Sequence, residues 1–242
     1  MIDLITGGAD APQIAAAASV AAETTMIDAA SDPAVCFACW LLAQIPMAAR
    51  EQDFPIKLRA LGVDVSDNPE LTDVICGLMN AIDLHVGIGG SRSDYGEIAQ
   101  LSAAEALFAM ADREANVLFG AAVETMRKAL GGLATEKQFA VLAREFFARL
   151  TRRHLNYFLS RELSNHVGSK RRFASVREHR AFEDALDLHC REATRIIKEY
   201  SGEWLSKHRF EGGIDLAKAG RFVSYATEKI RDELRARRGI AA

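Results

Sequence analysis

Residues 135–167 read TEKQFAVLAREFFARLTRRHLNYFLSRELSNHV, and the spacing of their apolar side chains decides the fold class. At the 100° per residue of an α-helix, Phe139, Leu142, Phe146 and Leu150 share one face. Leu155, Leu159 and Leu163 fall almost opposite. Two readings follow: the helix breaks near Thr151 to Arg153, or one long helix is clasped by neighbours on both sides. Either way other helices must cover it, because the run shows none of the alternation with period two that a strand requires.

The same period continues outward. Phe182, Leu186, His189, Ala193, Ile196, Ile197 and Tyr200 recur at steps of three and four, as do Phe222, Ala226, Ile230 and Leu234. Helix starts are marked by short polar side chains with a partner three residues on: Asp10 with Gln13, Ser102 with Glu105, Thr135 with Gln138, and Ser175 with Glu178. Asp32 before Pro33 and Asn68 before Pro69 fit a cap followed by proline at the first helical position, where its missing N–H costs nothing. Ends are marked by glycine: the stretch GIGGSRSDYG from Gly87 to Gly96, then Gly131 with Gly132, Gly168, Gly202, and Gly212 with Gly213. The expectation is an all-α bundle of about seven main helices with short loops, near 10–29, 33–50, 69–86, 102–130, 135–167, 176–200 and 214–237. No alternating pattern is longer than the fragment Gly62 to Val65, which leaves room for a short extended piece there.

Composition agrees with that class. In 242 residues, 49 % hydrophobic content supplies a core, while five prolines and 7 % aromatics disfavour the frequent turns of a sandwich or barrel. The most apolar stretch, Ala34 to Ala49, contains Gln44 and Pro46 and falls short of the roughly 20 residues a spanning helix needs. It reads as a buried core helix, with no membrane role. The first basic residue is Arg50, so no export peptide is read at the amino terminus and a cytoplasmic location is expected. Cys36, Cys39, Cys76 and Cys190 lie in helical surroundings and read as reduced thiols.

Charge is the most informative feature. Residues 1–134 hold 18 acidic against 7 basic side chains, and residues 135–242 hold 15 against 23, so a formal charge of −3 conceals −11 and +8. We therefore read an acidic helical part, 1–131, and a basic helical part, 132–242, packed together as one compact unit. The basic excess concentrates between Arg144 and Arg180, where ten Lys/Arg face three Glu. Arg149, Arg152, Arg153, His154, Tyr157, Arg161, Lys170, Arg171, Arg172 and Arg177 are the candidate binding residues for a partner or a nucleic acid. Their cations suit phosphate or carboxylate, and Tyr157 and Phe158 offer faces on which an unpaired base could stack. The plainer alternative is that these arginines answer the chain's own acidic half.

Other constellations carry less. Cys36 and Cys39 form a CxxC, which a redox pair or half a zinc site would need, but no second ligand pair completes it. Gly87, Gly89, Gly90 and Ser91 lack the Lys-Ser/Thr step of a phosphate loop and follow a helix. Asp184, Asp187, His189, Cys190 and Glu192 include metal-capable groups, yet Asp184 and Asp187 are spaced to pair with Arg191, and His189 reads as a core histidine. No metal site and no cofactor are expected.

Arg161 to His166, RELSNH, resembles the Arg-x4-6-His signature of HEPN domains, which are all-helical modules. The resemblance covers six residues. It implies a metal-independent ribonuclease, or an inactive relative, in which Arg161 and His166 meet across a dimer to activate a ribose 2′-OH and stabilise phosphate charge. Arg149 with His154 and Arg172 with His179 fit the same loose spacing.

The reading the residues support best is a non-enzymatic helical subunit or adaptor, binding an acidic protein surface or nucleic-acid backbone through its basic second half. A protein partner or self-association is expected. Direct RNA or DNA binding and a HEPN-type endoribonuclease are the alternatives.

Overall fold

The computed structural model describes residues 11–88, 94–115, 123–163 and 176–240. Over these residues the chain forms ten helices and no strand. They are α1 (Ala11–Ser31), α2 (Pro33–Ala48), α3 (Phe54–Ala60), α4 (Leu71–Ile88), α5 (Asp94–Ala115), α6 (Val123–Gly132), α7 (Glu136–Leu163), α8 (Val176–Ala193), α9 (Ile197–Phe210) and α10 (Leu216–Ile240).

The fold is built on α2, whose residues PAVCFACWLLAQIPMA are apolar nearly all round. A helix with no polar face is buried on every side. Accordingly Val35, Leu41, Leu42 and Ile45 are sealed, and α1, α4, α5, α6 and α10 pack about it. Ala34, Ala38 and Ala43, all buried, keep the neighbouring axes close. The Asp32 side chain accepts a hydrogen bond from Ala34 N at 2.8 Å, and Pro33 opens the helix. Pro46 falls in the last turn, where a break costs least. The far end is capped by arginine. Arg127 Nη1 donates to Glu51 O at 3.0 Å, and in return Arg50 Nε donates to Gly131 O at 2.8 Å at the end of α6.

The second axis is α7, which runs unbroken from Glu136 to Leu163. Of the two readings its sequence left open, the clasped helix is the one that forms. Its N-terminal half lies on α9, with Phe139 stacked on Trp204. Its C-terminal half is held by α1, α5 and α8, which bury Leu155 and Leu159 completely.

Several boundaries differ from expectation. The helix expected at 102–130 covers α5 and α6, with 116–122 between them outside the described residues, and α5 begins eight residues earlier at Asp94. Ser102 is therefore no cap: it sits inside α5, fully buried, its hydroxyl without a hydrogen-bond partner. The helix expected at 176–200 divides at Thr194 to Ile196 into α8 and α9. There the backbone tightens into i to i+3 bonds such as Ile197 N to Thr194 O at 3.1 Å, and Thr194 Oγ1 turns back to Cys190 O at 2.9 Å. Pro69 lies before α4, whose first turn is closed by Asp73 accepting from Glu70 N at 2.9 Å. The helix α3 was not expected; in the Gly62 to Val65 piece Gly62 closes a turn with φ of 84° and residues 63–65 run on without helix or strand pairing. Val63 and Val65 instead dock over Gly77 of α4, where a Cβ would meet Asp64 O at 2.7 Å. The Thr135 cap forms as expected, accepting from Gln138 N at 3.3 Å. The caps expected at Asp10 and Ser175 lie outside the described residues, as do Gly89, Gly90 and Ser91.

Candidate functional site

Within the described part of the basic segment, Arg149, Arg152 and Arg153 face carboxylates. Arg149 pairs with Glu145 and with Glu105 at 3.6 Å, and Arg153 pairs with the same Glu105. Arg152 reaches Asp187 at 3.3 Å and Glu183 at 3.5 Å. Arg191 completes a ladder along α7 and α8, binding Asp187 at 2.7 Å and Glu145 at 2.9 Å. Burial would raise the Glu145 carboxyl, but Arg149 and Arg191 hold it below its ordinary value. Arg144 caps the end of α8 on Arg191 O at 3.0 Å. Glu105 belongs to the acidic half, so part of the charge split is answered across the fold.

His154 of α7 is buried against α1. Its Nε2 lies 2.9 Å from Thr25 Oγ1, and its ring stacks on Tyr95 at 5.6 Å. Desolvation pushes its pKa down to about 4 against a hydrogen bond with the Ala22 backbone, so it is neutral at pH 7 and supplies no positive charge. The Arg149 and His154 pair is therefore dispersed into an ion ladder and a core. Tyr157 is 52 % exposed and Arg177 is exposed. The Arg161 side chain, His166, Lys170, Arg171 and Arg172 lie outside the described residues.

Cys36 and Cys39 are free thiols one turn apart on α2. Burial, with Asp32 adding to it, pushes Cys36 up to about 11, and burial raises Cys39 further. Neither thiol ionises at neutral pH, so the pair lacks the thiolate on which redox exchange depends. On α8, Asp187 is engaged by arginines, Cys190 is sealed with its thiol pushed up to about 12, and Asp184 is exposed. Among the described residues no three of these residue types gather as a metal site. His189 is half-buried with an unpartnered Nε2, rather than satisfied as the core reading expected.

A more open arrangement lies in the second half, between α9 and α10. Gly212 and Gly213, with φ of 91° and 98°, allow the chain to reverse there. Trp40 Nε1 and Gln44 Nε2 of α2 clamp the turn by donating to Ile214 O at 2.9 and 2.7 Å. From it α9 runs along α7 whereas α10 runs along α1 and α2. The two helices diverge, leaving a groove lined by Tyr200, Trp204, Lys207, Arg221, Phe222 and Tyr225. Its floor is aromatic, with Trp204 and Phe222 stacked at 4.3 Å and Tyr200 edge-on to Tyr225 at 4.9 Å. Tyr225 remains 46 % exposed, and Phe210 at the tip of α9 is 94 % exposed.

The rim is cationic. Lys218 Nζ sits on Gly213 O at 2.6 Å, while Lys207 and Arg221 are exposed and make no ion pair among the described residues. Glu203 is the acidic member of the lining. The sequence carried a faint signal of this site. Positions 218, 221, 222, 225 and 229 recur on one face of α10, so Tyr225 borders the apolar stripe between two cations.

Fold and groove define an all-α bundle with one contiguous hydrophobic core and an aromatic, cation-rimmed cleft between its last two helices. No protein-family model matches the chain, and no curated protein or solved structure is significantly similar to it. No single helix among the described residues is long and apolar enough to cross a membrane.

Proposed function

We propose that the protein is a non-enzymatic α-helical subunit or adaptor that holds an acidic protein partner through its basic second half. The observation that carries this reading is the contrast within that half. The described arginines of 144–153 are taken up by the protein's own carboxylates and carbonyls, whereas Lys207 and Arg221 are exposed, make no ion pair among the described residues and lie beside the exposed Tyr225 ring. Charged and apolar groups left open together are what a partner surface presents.

The test is the hydrodynamic size of the protein in extracts of its own cells at rising salt. We expect it to elute far above its 26.5 kDa mass at low salt and to fall towards that mass as salt screens the contact. Elution as a free chain at all salt concentrations overturns the adaptor reading.

Direct nucleic-acid binding retains Tyr157 and Arg177 as exposed candidates. It requires binding of a single-stranded oligonucleotide that weakens steeply with salt. The HEPN-type alternative rests on Arg161 and His166 and requires RNA cleavage that His166→Ala abolishes.

A further inference from the structure

We infer that the groove between α9 and α10 receives an acidic amphipathic helix of the partner protein, its apolar side chains set among Trp204, Phe222 and Tyr225 and its carboxylates over Lys207 and Arg221. This deepens the adaptor reading and rests on it.

Charge selects the class of occupant. Against Glu203 the lining sets Lys207, Lys218 and Arg221, so the groove is net positive around an apolar floor. Lys218 is anchored on the Gly213 carbonyl and Glu211 O, which leaves the longer reach to Lys207 and Arg221. An apolar segment without acidic groups would leave those two cations beside it uncompensated, and a purely acidic one would forgo the rings.

Ring geometry argues against an unpaired base. Trp204 already stacks with Phe222 at 4.3 Å and Phe139 at 6.1 Å, and the His208 ring lies tilted against it at 5.1 Å. Lys229 Nζ lies 5.4 Å over the Tyr225 ring. Faces committed in this way are poor platforms for nucleobases, while the ring edges still form a trough for aliphatic and aromatic side chains. Length fits as well. Tyr200 to His208 spans about 12 Å of helix axis, roughly two turns, which matches anchors at i, i+3 or i+4, and i+7 on a docked helix.

The experiment selects random 16-residue peptides displayed on phage against the full chain, with counter-selection on the double variant Lys207→Glu, Arg221→Glu. We expect enriched peptides that combine Asp/Glu with Leu, Phe or Trp at helical spacing. Made as free peptides, they should bind the native chain at least about tenfold more tightly than the double variant, and Tyr225→Ala should weaken them similarly. Both variants change exposed residues, and circular dichroism confirms that they fold. The inference is overturned if no enriched peptide depends on these positions. It is also overturned if a single-stranded oligonucleotide is the ligand that charge reversal removes, or if sedimentation shows that reversal merely dissolves a dimer of this chain. Persistence of the double variant in the large cellular assembly also overturns the groove while leaving the adaptor reading intact. Absence of any assembly removes the adaptor reading itself.

Discussion

The imidazole of His154 is walled in by Thr25, Tyr95 and a cavity of about 20 Å³ bordered by Met26, Val35, Ile98 and Thr227. A space of that size holds about one water molecule, too little to solvate a charge. The folded ring therefore titrates near 4, while an unfolded chain titrates near its ordinary 6.5. Between those values the unfolded state takes up a proton that the native state refuses. The stabilising contribution is complete above about pH 6.5 and is lost as pH falls towards 4. Its size is of the order of 3 kcal/mol. Urea unfolding from pH 7.5 to 4.5 should show this loss, and His154→Leu should flatten most of it. His189, whose pKa burial and Arg237 also lower, contributes a remainder of the same sign. An identical pH slope in wild type and variant would show that the ring is already open to water.

At the level of the helix, close approach is set by small residues. A Cβ on Gly202 would lie 2.8 Å from Glu136 O, because α9 crosses the start of α7 at that point. Gly202→Ala must push the two helices apart, since the atom it meets is backbone. We expect a loss of about 1 to 3 kcal/mol, read as a lower Tm in a thermal melt. An unchanged Tm would mean that the helices separate without cost. Gly202 reads in the sequence as a helix end, but it lies inside α9, and the partner that makes glycine necessary there is far away in the chain. Elements were readable where their cause is local. Asp32 with Pro33 and Thr135 with Gln138 act within three residues, and both caps form. The division at Thr194 to Ile196 has no glycine or proline to announce it, and the apolar spacing runs through it unaltered. Ser102 has the pattern of a cap, but burial under neighbouring helices overrides a signal worth about 1 kcal/mol.

Across the whole molecule the acidic and basic parts interleave. The helix α10 lies on α1 and α2, and α7 lies on α1 and α5, so the core runs from Ile14 to Leu234 through both. Glu23 of α1 pairs with Arg231 at 3.1 Å and with Arg235. Residues 1–131 and 132–242 produced separately should each lack a cooperative urea transition, whereas the intact chain should show one. A sharp transition in either piece alone would establish two cores. What the sequence determined by itself was the helical class, the helix starts at Asp32 and Thr135 and the polarity of the charge, because periodicity and capping act over a few residues. Tertiary structure alone decided which charges meet and which stay open. Arg149, Arg152 and Arg153 are answered by Glu105, Glu145, Glu183 and Asp187, whereas Lys207 and Arg221 are exposed with no ion pair among the described residues. Pairing depends on which helix faces cross, and that is fixed by burial of side chains distant in the chain.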